Sequence, residues 1–173
     1  MSDFDNYDVN SDGVNDDVMT AEGTDGSTVT LADTDNDDYA DAAAYDSDGD
    51  GNAERGDFDT NNDNKLDTST YDYDDDRDVD AMSSDTNADG RTDFAAVDRN
   101  DDSAMDYAVA DTDHDGAVDT TAADNNYDGN VDLTTENPDE DANIDRTTAD
   151  TDGDGTMDTV HYGDADTNPY AGR

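Results

Sequence analysis

The sequence predicts a repeat protein that is all-β or mostly irregular and has no helices. Three observations predict it. A nine-residue acidic loop recurs at a fixed step of 13 residues. The four residues between loops are mostly apolar, aromatic or hydroxyl-bearing, too few for a helix and suited to a short strand. The composition leaves no ordinary core: 30% of residues are hydrophobic, and 52 acidic residues against 7 basic ones give a net charge of −45. Such numbers alone describe a disordered chain. Any fold must offset chain entropy of roughly 1–2 kcal/mol per residue by something other than apolar burial.

The loop is clearest at Asp111–Asp119, DTDHDGAVD. Asp111, Asp113, Asp115 and Asp119 occupy positions 1, 3, 5 and 9, with Gly116 at position 6. Alternate side chains and the position 7 carbonyl can wrap a hard divalent cation, and Gly permits the sharp turn. Ten such units follow without slip from Asp33, Asp46, Asp59, Asp72, Asp85, Asp98, Asp111, Asp124, Asn137 and Asp150. Position 3 is Asp35, Asp48, Asn61, Asp74, Asn87, Asn100, Asp113, Asn126, Asp139 and Asp152. Position 5 is Asp37, Asp50, Asp63, Asp76, Asp89, Asp102, Asp115, Asp128, Asp141 and Asp154. Position 9 is Asp41, Glu54, Asp67, Asp80, Asp93, Asp106, Asp119, Asp132, Asp145 and Asp158. Asp and Asn make up about 37% of the chain, so composition alone would almost never fill forty such positions, and the period is the strongest signal present.

The ends are weaker. Residues 1–32 read as a degenerate cap holding one good loop, Asp8, Asn10, Asp12 and Asp16, with Gly13 at position 6. The unit from Ala21 keeps only Asp25 and Gly26 and is one residue short. Residues 33–162 are the tandem array. Residues 163–173, with Asp164, Asp166, Asn168 and Pro169, read as a second cap or tail, as degenerate terminal repeats do in stacked arrays.

Position 8, as in Leu66, Val79, Val118 and Ile144, reads as a thin apolar core line, with a ligand surface as the alternative. The Tyr residues read as packing between loops, His114 and His161 as solvated, and Arg55, Arg77, Arg91, Arg99 and Arg146 as local trimming of charge. Asp-Thr opens the loops at Asp33, Asp59, Asp85 and Asp111, which hints at two units per 26-residue coil. Stacked coils would give two small parallel sheets; the competing picture is an irregular metal-filled rod.

Converging carboxylates repel. Two charges about 4 Å apart cost about 4 kcal/mol at an effective dielectric near 20, so cation binding and folding are coupled. Calcium suits the site, because it takes 6–8 oxygens flexibly whereas magnesium demands an octahedron. There is no Cys, so soft metals lack their ligands. About one calcium ion per repeat is expected. At position 6, Gly13, Gly51, Gly90, Gly116, Gly129 and Gly155 fit the turn, and Asp38 and Asn64 tolerate it. Arg77, Ser103 and Ala142 do not, so their loops should be weaker or differently turned. Affinity per site is expected at about 10⁻⁴–10⁻³ M.

DVNSDGVND at Asp8 and DSDGDGNAE at Asp46 resemble the first nine positions of an EF-hand or dockerin loop. The acidic ligand those families carry at position 12 is missing in all but Asp57. The loops more nearly resemble those of integrin-type propeller repeats, which use positions 1, 3, 5 and 9 with the position 7 carbonyl. They also resemble tandem thrombospondin type 3 repeats, although Cys is missing and the intervals are too short for propeller blades. The resemblance spans roughly residues 8–158 and implies calcium binding.

The charge argues against nucleic acid and anionic membranes as partners. No run reaches transmembrane length, and the first residues carry no signal-peptide pattern. A repeated identical loop is the opposite of a singular catalytic site, so no enzyme is expected. The expected role is a calcium-rigidified spacer, adhesin stalk or matrix and fibre component, extracellular or at the cell surface, able to self-associate end to end. The alternatives are a calcium buffer or mineral-binding protein and a salt-adapted acidic domain.

Overall fold

The computed structural model describes residues 5–7, 9–11, 13–139 and 143–163. Its regular structure is all β, with no helix among the described residues. The chain forms two compact units, Met1–Met82 and Ser83–Arg173.

The first unit holds β1 (Asp5–Tyr7), β2 (Asp16–Glu22), β3 (Thr28–Asp33), β4 (Ala42–Asp46), β5 (Arg55–Phe58) and β6 (Thr68–Tyr71). Each pairs antiparallel with the next. β7 (Ala81–Ser84) carries the chain into the second unit. There β8 (Phe94–Val97), β9 (Tyr107–Ala110), β10 (Thr120–Ala123), β11 (Leu133–Glu136), β12 (Arg146–Ala149) and β13 (Thr159–Tyr162) pair in the same way. Within each unit the sheet is open: the strands follow chain order and pair only with their chain neighbours.

From β5 onward each strand fills positions 10 to 13 of the repeat. The nine-residue loop between strands closes on itself. The position 9 N–H donates to the carbonyl just before position 1, as from Asp119 to Ala110 at 2.9 Å and from Asp67 to Phe58 at 2.8 Å. The chain therefore enters and leaves each loop side by side, and the strands run antiparallel. This corrects the expectation of parallel sheets. Parallel strands need a crossover of a dozen or more residues, and four-residue links between closed loops supply none. The 26-residue period is a forward-and-back pair of strands, so alternate loops fall at the same ends of the strands.

The register is fixed, position 10 facing 13 and 11 facing 12, as in Phe94↔Ala110 and Ala95↔Val109. Side chains at 10 and 12 of one strand thus share a face with 11 and 13 of the next. Among the described residues the buried apolar ones are all alanines: Ala32, Ala43, Ala81, Ala96 and Ala123. Position 8 is not a core line. Val118 and Ile144 are 48% and 49% exposed, because position 8 lies on the outer arm of the loop. The deepest burial belongs instead to carboxylates at the strand ends. Asp16, Asp93, Asp106, Asp119 and Asp145 at position 9 are buried, as are Asp46, Asp72, Asp111, Asp124 and Asp150 at position 1. Buried acids are rare unless something partners them.

The short unit from Ala21 is a tight hairpin between β2 and β3. Gly23 N–H donates to the Ser27 carbonyl at 2.7 Å, and Asp25 Oδ1 accepts the Ser27 hydroxyl at 2.8 Å.

Candidate metal centre

In each loop whose positions 4 and 6 are described, two residues take left-handed backbone. At position 6 they are the predicted glycines, including Gly90 at φ 90° and Gly116 at φ 103°. Asp38, Asn64, Arg77 and Ser103 join them at φ 75°, 69°, 82° and 71°. Of the expectation that the loops of Arg77 and Ser103 are weaker or differently turned, the different turn is corrected: both keep the common turn, because the hydrogen-bond pattern of the whole loop outweighs the local strain. Ala142 lies outside the described residues. Position 4 is the second left-handed residue, and sequence reasoning missed it. Its occupants include Asn36, Gly49, Asn62, Asp75, Asp101, His114 and Gly153. These are the types that tolerate positive φ, so the signal was readable. Ser11, Ala88 and Tyr127, at φ 62°, 60° and 62°, are the costly cases.

With the backbone curled this way, the loop's N–H groups point inward at carboxylates. In the loop at Asp111, Oδ1 of that residue accepts from His114 N–H at 2.7 Å and Oδ2 from Gly116 N–H at 2.7 Å. Asp119 Oδ2 accepts from the Thr112 N–H at 2.6 Å, the Thr112 hydroxyl at 2.5 Å and Asp113 N–H at 3.2 Å. Asp113 accepts from Asp115 N–H, and Asp115 from Ala117 N–H. The loops at Asp33, Asp85 and Asp124 repeat this arrangement. Those at Asp46, Asp59, Asp72, Asp98 and Asp150 keep its main bonds. Glu54 substitutes for Asp at position 9, accepting Ser47 N–H at 2.6 Å. Thr at position 2 adds a hydroxyl donor to the position 9 carboxylate at Thr34, Thr60, Thr86, Thr112 and Thr151, which accounts for the recurrent Asp-Thr.

The predicted ligands converge. Within each of the groups Asp33/Asp35/Asp37, Asp46/Asp48/Asp50, Asp72/Asp74/Asp80 and Asp98/Asp102/Asp106, carboxylate oxygens lie within 4.8 Å of one another. Between them these groups sample positions 1, 3, 5 and 9. In the N-terminal loop, Asp16 accepts Val9 N–H at 2.6 Å, while Asp8 and Asp12 lie outside the described residues. So does Asp141 in the loop from Asn137.

Electrostatics divide the ligands by position. At Asp59, Asp98 and Asp150 of position 1, and at Glu54, Asp67, Asp93 and Asp119 of position 9, inward donors hold the carboxylate low. Asp119 lies below the usual range because of the Thr112 hydroxyl and N–H. Desolvation pushes Asp59 and Asp150 up, but the loop's N–H groups outweigh it and both lie low. Asp93 falls to about 2, held first by the Thr86 hydroxyl against desolvation and then by His114. Position 3 goes the other way. Asp35 and Asp74 are pushed up by desolvation and by the facing carboxylates, and Asp152 by Asp154 and Asp158. Each of these position 3 acids accepts one N–H, from position 5, and that single dipole does not offset the surrounding like charge.

The chain matches no family model, no curated protein and no solved structure.

The donor set fits a hard cation. Every ligand atom is an oxygen, the carboxylates are pre-oriented by backbone N–H groups, and positive charge is what position 3 lacks. Asp119 is 3% exposed, and its buried Oδ1 has no hydrogen-bond partner. Asp16 Oδ1 is in the same condition with the residue 0% exposed. A lone buried carboxylate oxygen costs several kcal/mol unless something compensates it.

His114 is not merely solvated: its Nδ1 lies 3.1 Å from Asp93 Oδ1, which raises its pKa. His161 is exposed. Arg55 and Arg146 do pair with acids, Asp57 at 2.8 Å and Glu136 at 2.9 Å. Arg77, Arg91 and Arg99 instead donate to neutral oxygens of other loops.

Proposed function

We propose that the chain is a calcium-binding structural repeat domain, each complete loop holding about one calcium ion that rigidifies its hairpin. The observation that carries this reading is Asp119 Oδ1: a buried carboxylate oxygen with no donor, in a loop whose other acids are already oriented by backbone N–H groups. Calcium supplies the charge that these oxygens lack and tolerates the 6–8 oxygen ligands such a loop can offer. Positions 1, 3, 5 and 9 are the side chains that hold it.

A sheet without an apolar core, its strands joined by charged loops, suits a stiff element more than a binding pocket. With affinities of about 10⁻⁴–10⁻³ M, the sites fill where calcium is plentiful. The reading is therefore a spacer, adhesin stalk or matrix and fibre component, extracellular or at the cell surface.

Calorimetric titration of chelator-stripped protein tests the binding. Calcium should give saturable binding of about one ion per complete loop, with magnesium much weaker. Asp119→Asn should remove about one site. Absence of calcium heat, or equal binding of both ions, contradicts the proposal.

A further inference from the structure

Within a unit, sequence-adjacent loops lie at opposite strand ends, whereas loops 26 residues apart share an end and touch. In the second unit, Asp111 N–H donates to the Asp93 carbonyl at 2.8 Å, and Asn137 N–H to the Asp119 carbonyl at 2.7 Å. His114 Nδ1 meets Asp93 Oδ1 at 3.1 Å. Arg91 Nη1 donates to the Asp115 carbonyl at 3.1 Å. These contacts string the loops beginning at Asp85, Asp111 and Asn137 into one row. At the other strand ends, Asp124 N–H donates to the Asp106 carbonyl at 2.8 Å and Asp150 N–H to the Asp132 carbonyl at 2.9 Å. Arg99 Nη2 bridges the carbonyls of Asp106 and Asp124 at 3.2 and 3.0 Å. The loops beginning at Asp98, Asp124 and Asp150 form a second row.

The residues that make the backbone contacts are the proposed cation ligands themselves. Position 9 of one loop offers its carboxylate to its own site and its carbonyl to position 1 of the next loop in the row. Asp93 is tied twice, through its carbonyl to Asp111 and through its carboxylate to His114. Ordering Asp111 around a cation therefore fixes the backbone that positions Asp93 in the neighbouring site. Between rows the link is a four-residue strand, about 13 Å long.

We propose that calcium loads the second unit cooperatively along each row of alternate loops, and that the two rows load independently. The inference rests on the loops being calcium sites. It makes the coupled neighbour the loop 26 residues away, not the one 13 residues away. The coupling is of the ordinary kind, in which one site shifts the affinity of another through a shared structural element.

Four glycines report the sites separately. The N–H groups of Gly90, Gly116, Gly129 and Gly155 donate to the position 1 carboxylates Asp85, Asp111, Asp124 and Asp150 at 2.7, 2.7, 2.8 and 2.7 Å. In full-length, calcium-loaded protein labelled with ¹⁵N-glycine, chelator titration followed by NMR gives a calcium midpoint for each. Asp115→Asn should raise the midpoint at Gly90 about fivefold or more and leave Gly129 and Gly155 where they were. Arg91→Ala, which alters no ligand, should separate the Gly90 and Gly116 transitions. Equal movement of all four amides, or a Gly90 midpoint indifferent to both changes, overturns the row coupling. Wild-type amides that ignore calcium altogether overturn the site reading itself, and the coupling with it.

Discussion

Ala88 holds at φ 60° a backbone conformation that Gly49 and Gly153 hold at the same position of other loops. Left-handed backbone costs a residue with a Cβ about 1–2 kcal/mol, part of which Gly's extra chain entropy returns. Ala88→Gly should therefore stabilise the calcium-loaded protein by about 0.5–1 kcal/mol, seen as a higher urea midpoint. Gly129→Ala is the converse, because φ is 87° and an added Cβ meets nothing within 4 Å. It should cost about 1–2 kcal/mol, and an unchanged midpoint would count against backbone strain as the cause. Thr112→Val removes the hydroxyl that donates to Asp119 at 2.5 Å. The expected loss is about 1.5 kcal/mol, as for hydrogen bonds to charged groups. At this scale the sequence was legible where spacing mattered, since Asp33, Asp35 and Asp37, or Asp72, Asp74 and Asp80, bring carboxylate oxygens within 4.8 Å of one another. It was less so at position 4, where Ala88 and Tyr127 hide a requirement that Asn36, Asp75 and Gly153 display, and at Thr112, whose hydroxyl serves the ligand seven residues on.

The element is a wide hairpin: a self-closed loop and a four-residue strand. Its strand content and length were legible in the four-residue intervals. Its direction was not, because closure depends on one bond, position 9 N–H to the carbonyl before position 1, which any residue can make. The position 8 residues misled for a related reason. Their apolarity resembles a core stripe, yet Val118 is 48% exposed because the loop's inner side is filled by carboxylates. Side-chain packing between strands is local. Arg55 lies over the rings of Tyr45 and Tyr71, 5.2 and 5.8 Å from their centroids, and its Nε holds the buried Asp57 at 2.8 Å. Arg55→Ala should cost about 2–3 kcal/mol, combining lost cation–π contact with a partly stranded carboxylate. Arg55→Ala with Asp57→Ala should recover much of that loss in denaturant unfolding. Purely additive losses would show that the pair is not coupled.

For the molecule as a whole, the net charge of −45 opposes folding in addition to chain entropy, and the upward shifts at Asp35, Asp74 and Asp152 mark places where like charge crowds. A carboxyl whose folded pKa is raised destabilises the fold while ionised, and that penalty is relieved as pH falls through the raised value. Calcium-free protein should therefore become more compact on acidification from neutral pH toward the upper edge of the carboxylate range. Calcium-loaded protein should weaken over the same window, because protons compete for position 3. Parallel urea melts at several pH values check both signs, and a common trend in the two forms would contradict the electrostatic account. The most direct test of the central claim strips calcium with EDTA and then restores it, following circular dichroism and hydrodynamic radius with KCl as control. Cooperative gain of β signal and compaction at sub-millimolar to millimolar calcium, absent in KCl, is the result predicted. A chain that folds equally in KCl, or does not respond to calcium, would contradict it.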